Sequence, residues 1–173
     1  TEWAFGVMGL EDKARYLSTL YLEDLSDFLQ ETVDEHFGFS RYAEHLGRSA
    51  SSFDELNAEL AKPLTFTDHY LIRLLAGRMK EYRPEVVAIT VPFPGNLYSA
   101  LRCGEWIKVN YPEVTVVMGG GFANTELRSL TDVRFFHFTD YLLLDDGELP
   151  LVRLLEHVTG QIGDSDLVRA FCL

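Results

Sequence analysis

The chain has 173 residues, 27 Asp plus Glu against 15 Lys plus Arg, 47% hydrophobic residues and 13% aromatic residues. That length suits one domain of about 100 to 200 residues, and the apolar and aromatic content excludes a disordered chain, a collagen and a disulfide scaffold. The formal net charge of −12 argues against a nucleic-acid partner, because phosphate binding is driven by Lys and Arg displacing counterions.

The charge is unevenly spread. Residues 1–60 carry 13 acids and 4 bases, which is −9 of the −12, while the remaining 113 residues carry 14 acids and 11 bases. We therefore expect an acidic helical cap or docking segment over residues 1–83 and a separate α/β core over residues 84–173. The longest apolar runs, such as Val86 to Ile89 and Tyr141 to Leu144, fall far short of the roughly 20 residues a bilayer needs, so no membrane partner is expected. The chain opens on Thr1 without a charged-then-apolar leader, and we expect it to be cut from a longer protein. Cys103 and Cys172 form no CxxC pair, which fits a reducing cytoplasm, the expected location.

In chain order, Leu10, Leu17, Leu20, Tyr21, Leu25, Phe28, Val33 and Phe37 recur at three- and four-residue steps with acids between them, predicting one amphipathic helix or two in succession over residues 10–37. A second helix is predicted over Phe53–Leu60, capped by Ser52 with Glu55 completing a capping box, and ended by Pro63. A third starts at Thr67, carries Tyr70, Leu71, Leu74, Leu75 and Met79 on one face, and runs to Arg83 before Pro84.

The pattern changes at Pro84. Val86 to Val91 is a β-branched apolar run that reads as a strand buried on both faces, and Pro92-Phe93-Pro94-Gly95-Asn96 is a stiff turn. Leu97–Val109 has helical spacing, Val114–Met118 is a second buried strand, and Gly119-Gly120-Gly121 follows it directly. Residues 122–130 predict a short helix, Tyr141–Leu144 a third strand, Glu148–Val158 another helix, and Leu167–Cys172 the start of one further strand. Strands alternating with helices imply right-handed crossovers and a parallel sheet with helices on both faces.

Ligands of an open parallel sheet sit outside the carboxyl ends of its strands, where Thr90 to Asn96, Gly119 to Asn124 and Asp145 to Glu148 converge. Glycine after a strand lets backbone N–H groups approach a ligand, and a following helix N-terminus favours a polar group. The plain alternatives are a tight strand-to-helix turn for the glycines and helix capping for Asp145, Asp146 and Glu148. If Gly119 to Gly121 cradle a ligand, Gly120→Val is expected to block it at modest cost to the fold. Two prolines and a glycine make residues 92–96 a rigid ledge, with Asn96 aimed above the sheet. His36, His45, His69, His137 and His157 show no metal-ligand spacing, and Ser99, Ser129 and Cys103 have no neighbouring base, so no catalytic or metal-ligating residue is assigned.

The order Val86 to Pro92, Asn96, a helix, Val116-Val117-Met118-Gly119-Gly120-Gly121, and Asp140 to Glu148 resembles the cobalamin-binding domain that precedes the catalytic barrel of many radical S-adenosylmethionine enzymes. The match covers Pro84 to about Leu155, with Asp145-Asp146-Gly147-Glu148 in place of a Gly-Glu-Gly-Glu-like turn. The resemblance implies a Rossmann-like, flavodoxin-like sheet whose first strand lies upstream of Thr1. It implies cobalamin held by Thr90, Pro92, Asn96, Gly119, Gly120 and Gly121, with Asp146, Gly147 and Glu148 shaping the adjoining helix start. Asp34-Glu35-His36-Phe37-Gly38 is one residue short of the cobalt-ligating DxHxxG and falls in a predicted helical segment, so cobalt is expected to lack a histidine from this chain. The CxxxCxxC of an iron-sulfur cluster is also missing, so S-adenosylmethionine and a [4Fe-4S] cluster would belong to a C-terminal barrel of the same polypeptide, and any radical chemistry, such as methyl transfer, to the full-length protein. Two other readings stay open. One is a doubly wound domain for a nucleotide or flavin, which lacks GxGxxG after a first strand, and the other is a non-catalytic interaction domain.

Overall fold

The computed structural model describes residues 9–39, 42–48 and 53–173. The chain divides into two compact units, Thr1–Tyr42 and Ala43–Leu173. Within the first, α1 spans Leu10–Thr32 and buries none of its residues. It stops where Asp34 offers the backbone a competing acceptor. The His36 N–H donates to Asp34 Oδ1 at 3.1 Å and the Tyr42 hydroxyl donates to Asp34 Oδ2 at 3.1 Å. The Asp34-to-Gly38 stretch, expected to be helical, is therefore a turn after the helix, although still not a loop after a strand.

The second unit begins with α2 (Glu44–Arg48), which the sequence did not signal, followed by α3 (Phe53–Leu60) and α4 (Phe66–Tyr82). Ser52, the expected cap of α3, lies outside the described residues. Helix α4 starts one residue before its predicted position because Thr65 and Asp68 close a reciprocal capping box. Arg83 then takes a left-handed conformation and Pro84 forbids another turn. These helices, assigned from sequence to the segment 1–83, fold together with the sheet. Met79 of α4 is buried against Ile107, Val114 and Val116, with Leu75, Val87 and Ile89 packed alongside.

The sheet has four strands in the order β1 (Val86–Thr90), β2 (Thr115–Gly119), β3 (Tyr141–Leu143) and β4 (Ala170–Phe171). β1 to β3 are parallel, with Val87 beside Val116 and Val117 beside Tyr141. β4 is antiparallel, with Leu143 opposite Ala170, so the last strand expected from sequence exists but is two residues long and runs the other way. Helix α5 (Leu97–Asn110) links β1 to β2, α6 (Gly121–Thr125) and two 3₁₀ turns link β2 to β3, and α7 (Glu148–Val158) follows β3. The single helix expected over 122–130 breaks after Thr125 and resumes as a 3₁₀ turn at Leu127–Ser129. Helices lie on both faces: α4 and α5 pack on the Val87, Ile89 and Val116 side, and α7 packs through Leu151, Leu154 and Val158 on the Val117 and Leu143 side. Among the described residues no helix is long and apolar enough to cross a membrane.

Asp140, which the resemblance singled out, works as a register pin. Its carboxylate accepts the Val116 N–H at 2.8 Å and pairs with Lys108, its own N–H donates to Val116 O at 2.8 Å, and Thr139 Oγ1 donates to the same carbonyl at 3.0 Å. Gly104 lets α5 approach this segment, since a Cβ there would run into the Phe138 carbonyl oxygen. A Gly104→Val variant should lose about 1–3 kcal/mol in urea unfolding through overpacking against backbone that cannot move aside. An unchanged midpoint would show that α5 has slack at this crossing.

Candidate functional site

The carboxyl ends of the strands are built on backbone contacts. The Val91 N–H donates to Gly119 O at 2.7 Å and the Phe122 N–H donates to Val91 O at 3.0 Å, so the turn after β2 folds back on the end of β1. Gly120 sits there at φ +106°, and a Cβ would lie 2.9 Å from Val91 O and 3.0 Å from Val91 N. Only glycine fits such an approach. This revises the expectation for Gly120→Val, because the substitution must strain the fold whether or not a ligand binds. We expect its melting temperature to fall by about 5 °C or more, from roughly 1–3 kcal/mol of backbone strain. A wild-type melting curve would restore Gly120 as a pure binding probe.

The third segment is held by a clamp that sequence reasoning missed. Asp145 adopts a left-handed conformation at φ +63°. Its N–H donates to Asn124 Oδ1, its carbonyl accepts from Asn124 Nδ2 at 2.8 Å, and its carboxylate pairs with Arg128 and, at 3.1 Å, with Arg169. No sequence spacing pairs these four residues. Asp145 is thus a structural ion pair and not the helix cap proposed as its plain alternative. The N-cap of α7 is Gly147 at φ +84°, with no side-chain cap bond. Asp146 and Glu148 are exposed, and their carboxylates make no hydrogen bond or ion pair with the described residues.

Helix α7 covers β2 and β3, and Val86 of β1 packs against the same cluster, but the Ala88 and Thr90 end of β1 is left bare on that face. Ala88 and Thr90 are exposed, so β1 is not buried on both faces as its composition predicted, whereas β2 is buried through Val116, Val117 and Met118. The uncovered strip opens into a cavity of about 370 Å³. Its floor is Ala88, Val117, Leu143 and Leu151, and its rim is Thr90, Gly119, Gly120 and the Asp145-to-Glu148 turn. No Lys, Arg or His is among the residues that line it.

Of the nine residues expected at the site, Thr90, Gly119, Gly120, Asp146, Gly147 and Glu148 converge on this cavity. Pro92 and Gly121 line a different groove with Gly47, Phe93, Pro94, Phe122 and Glu126. Asn96 is exposed at the start of α5, makes no cap bond and lines neither space. The proline ledge has another task, because α2 rests on it: a Cβ on Gly47 would collide with the Pro94 carbonyl.

Comparison of the chain with family models, with curated proteins and with solved structures gives no match. The site is therefore judged by its own chemistry. Among the nucleophile candidates, Cys103 is half-buried on α5, and burial, helped by the charge of Asp68, pushes its thiol up to about 11. It stays protonated at neutral pH and cannot act as a nucleophile there. At pH 8, a disulfide reagent such as dithionitrobenzoate should modify one thiol rapidly, the exposed Cys172, and reach Cys103 only after denaturation. Two equally fast thiols in the native protein would contradict this assignment.

Proposed function

We propose that residues 43–173 form the cobalamin-holding module of a radical S-adenosylmethionine enzyme, with a Rossmann-like, flavodoxin-like sheet. The observation that carries this reading is the cavity at the strand ends, whose floor is apolar and whose rim offers a hydroxyl, backbone groups and free carboxylates but no cation. Flavin mononucleotide and dinucleotides bring phosphates that want helix N–H groups together with Lys or Arg. Cobalamin carries a single phosphodiester and otherwise presents uncharged amides, whose N–H groups donate to carboxylates and backbone carbonyls. A cavity of about 370 Å³ takes one ring system, so the base of the nucleotide tail or one edge of the corrin would enter it while the remainder lies over the strand ends.

The sheet edge supports the same reading. The ladder to β2 uses Glu85 O and Val91 N–H, and by strict alternation it leaves the backbone groups of Val86, Ala88 and Thr90 directed away from β2. Among the described residues no strand lies on that side. An unprotected parallel edge of this kind is where a further strand would add. The iron-sulfur cluster, S-adenosylmethionine and the reaction itself would belong to a barrel elsewhere in the full-length polypeptide.

Titration with hydroxocobalamin, flavin mononucleotide and NAD in parallel tests the proposal. A spectral shift with saturable binding of the first alone is expected, and saturable binding of either nucleotide without it would replace this reading by the nucleotide one. None of His45, His69, His137 and His157 lines the cavity. Bound cob(II)alamin should therefore carry no histidine ligand from this chain, and any nitrogen hyperfine splitting in its electron paramagnetic resonance spectrum should survive replacement of each histidine. A nitrogen-split signal lost on replacing any one of the chain's five histidines would overturn that expectation.

A further inference from the structure

We infer that α1 is a dimerisation helix that pairs antiparallel with α1 of a second copy of this chain. Leu10, Ala14, Leu17, Tyr21, Asp24 and Phe28 alternate steps of four and three and so fall on one stripe of the helix, the seam pattern of a two-helix pair. Among the described residues the stripe is left open: Leu10, Leu17, Tyr21 and Phe28 are 48–73% exposed. One seam position is an acid, and it fixes the direction of pairing. Side by side in parallel, the two Asp24 carboxylates would face each other in the seam. In antiparallel register Asp24 meets the small Ala14 of the second copy, while Leu17 layers on its Tyr21 and Leu10 on its Phe28.

The flanking positions agree. Lys13, Leu20 and Asp27 lie along one side of the seam. Antiparallel pairing about Leu20 sets Lys13 of each copy against Asp27 of the other, giving two cross-helix ion pairs, whereas parallel pairing brings neither lysine near an acid of that row. The charge along the helix is also lopsided. Its first half balances Glu11 and Asp12 with Lys13 and Arg15, and its second half carries Glu23, Asp24, Asp27 and Glu31 with no base, so two parallel copies would stack their acidic halves.

Sedimentation velocity of the 173-residue chain across a hundredfold concentration range tests this. A monomer–dimer equilibrium is expected, and Leu17→Glu should weaken it at least tenfold while leaving the circular dichroism of the remaining fold unchanged. Charge reversal at one site, Lys13→Asp or Asp27→Lys, should weaken it too, and the double exchange should restore it. Monomer at every concentration would overturn the proposal. So would a dimer indifferent to Leu17→Glu, or one that does not recover in the double exchange, since the first places the interface elsewhere and the second denies the antiparallel register. If Leu17→Glu instead lowers the melting temperature of a monomer, the stripe packs inside the chain and the proposal falls.

Discussion

An Ala88→Trp or a Thr90→Trp variant should lose hydroxocobalamin affinity by at least tenfold while keeping the wild-type melting temperature. Both side chains are exposed and both border the strand-end cavity, so an indole at either position fills space the fold leaves empty. Neither change touches the Val91 and Gly119 backbone contacts that hold the turn, which is what separates them from Gly120→Val. β-branched and aromatic residues are also well tolerated on a strand, so the substitutions do not fight the local backbone. Affinity is read by titration in the visible and stability by thermal melting of the same samples. Retained affinity in both variants would move any cobalamin site away from β1, and the proline groove beside Gly121 would become the next place to look.

The second large effect is expected in the interior, where Arg102→Met should cost about 3–5 kcal/mol, the range for removing one partner of a buried ion pair. Arg102, Asp68 and Tyr98 are 2%, 1% and 0% exposed. The Arg102 Nε donates to the Tyr98 hydroxyl at 2.9 Å and lies 3.2 Å from Asp68 Oδ2, and the Tyr98 hydroxyl donates to the same carboxylate oxygen at 2.9 Å. The guanidinium also donates to the carbonyls of Leu60, Glu59 and Lys62, which ties it to the last turn of α3 and the loop that follows. Burial holds the Tyr98 phenol well above its usual pKa, so it remains a donor to Asp68 throughout the working range. Methionine matches much of the side-chain volume but leaves the buried Asp68 without its cation. With about 5–15 kcal/mol of total stability in a domain, the loss should be visible as a large drop in the urea midpoint. Tyr98→Phe removes one bond of the set and should cost about 1–3 kcal/mol. A midpoint for Arg102→Met within 1 kcal/mol of wild type would show that water replaces the guanidinium and that this triad does not tie α3, α4 and α5 together.

Much of this protein was legible from residue order alone because local rules act over a few residues. Capping and proline signals and helical spacing located the helices Phe53–Leu60 and Glu148–Val158, and short apolar, β-branched runs set β1 to β3 within a residue or two. The convergence of Thr90, Gly119, Gly120 and the Asp145-to-Glu148 turn followed from the rule that parallel strands end on one side. What the periods could not report was the identity of the cover. A strand such as Val86–Thr90 reads as buried on both faces from composition, yet its exposure depends on where α7 lies, and α7 lies over β2 and β3. Arg102 and Asp68 read as ordinary surface charges 34 positions apart, and only the packing of α3, α4 and α5 makes them partners. The direction of β4, the role of Gly120 against Val91 and the Asn124, Arg128 and Arg169 clamp on Asp145 are of the same kind. Each is a contact between residues distant in the chain, decided by how already formed elements pack, and no local pattern encodes it.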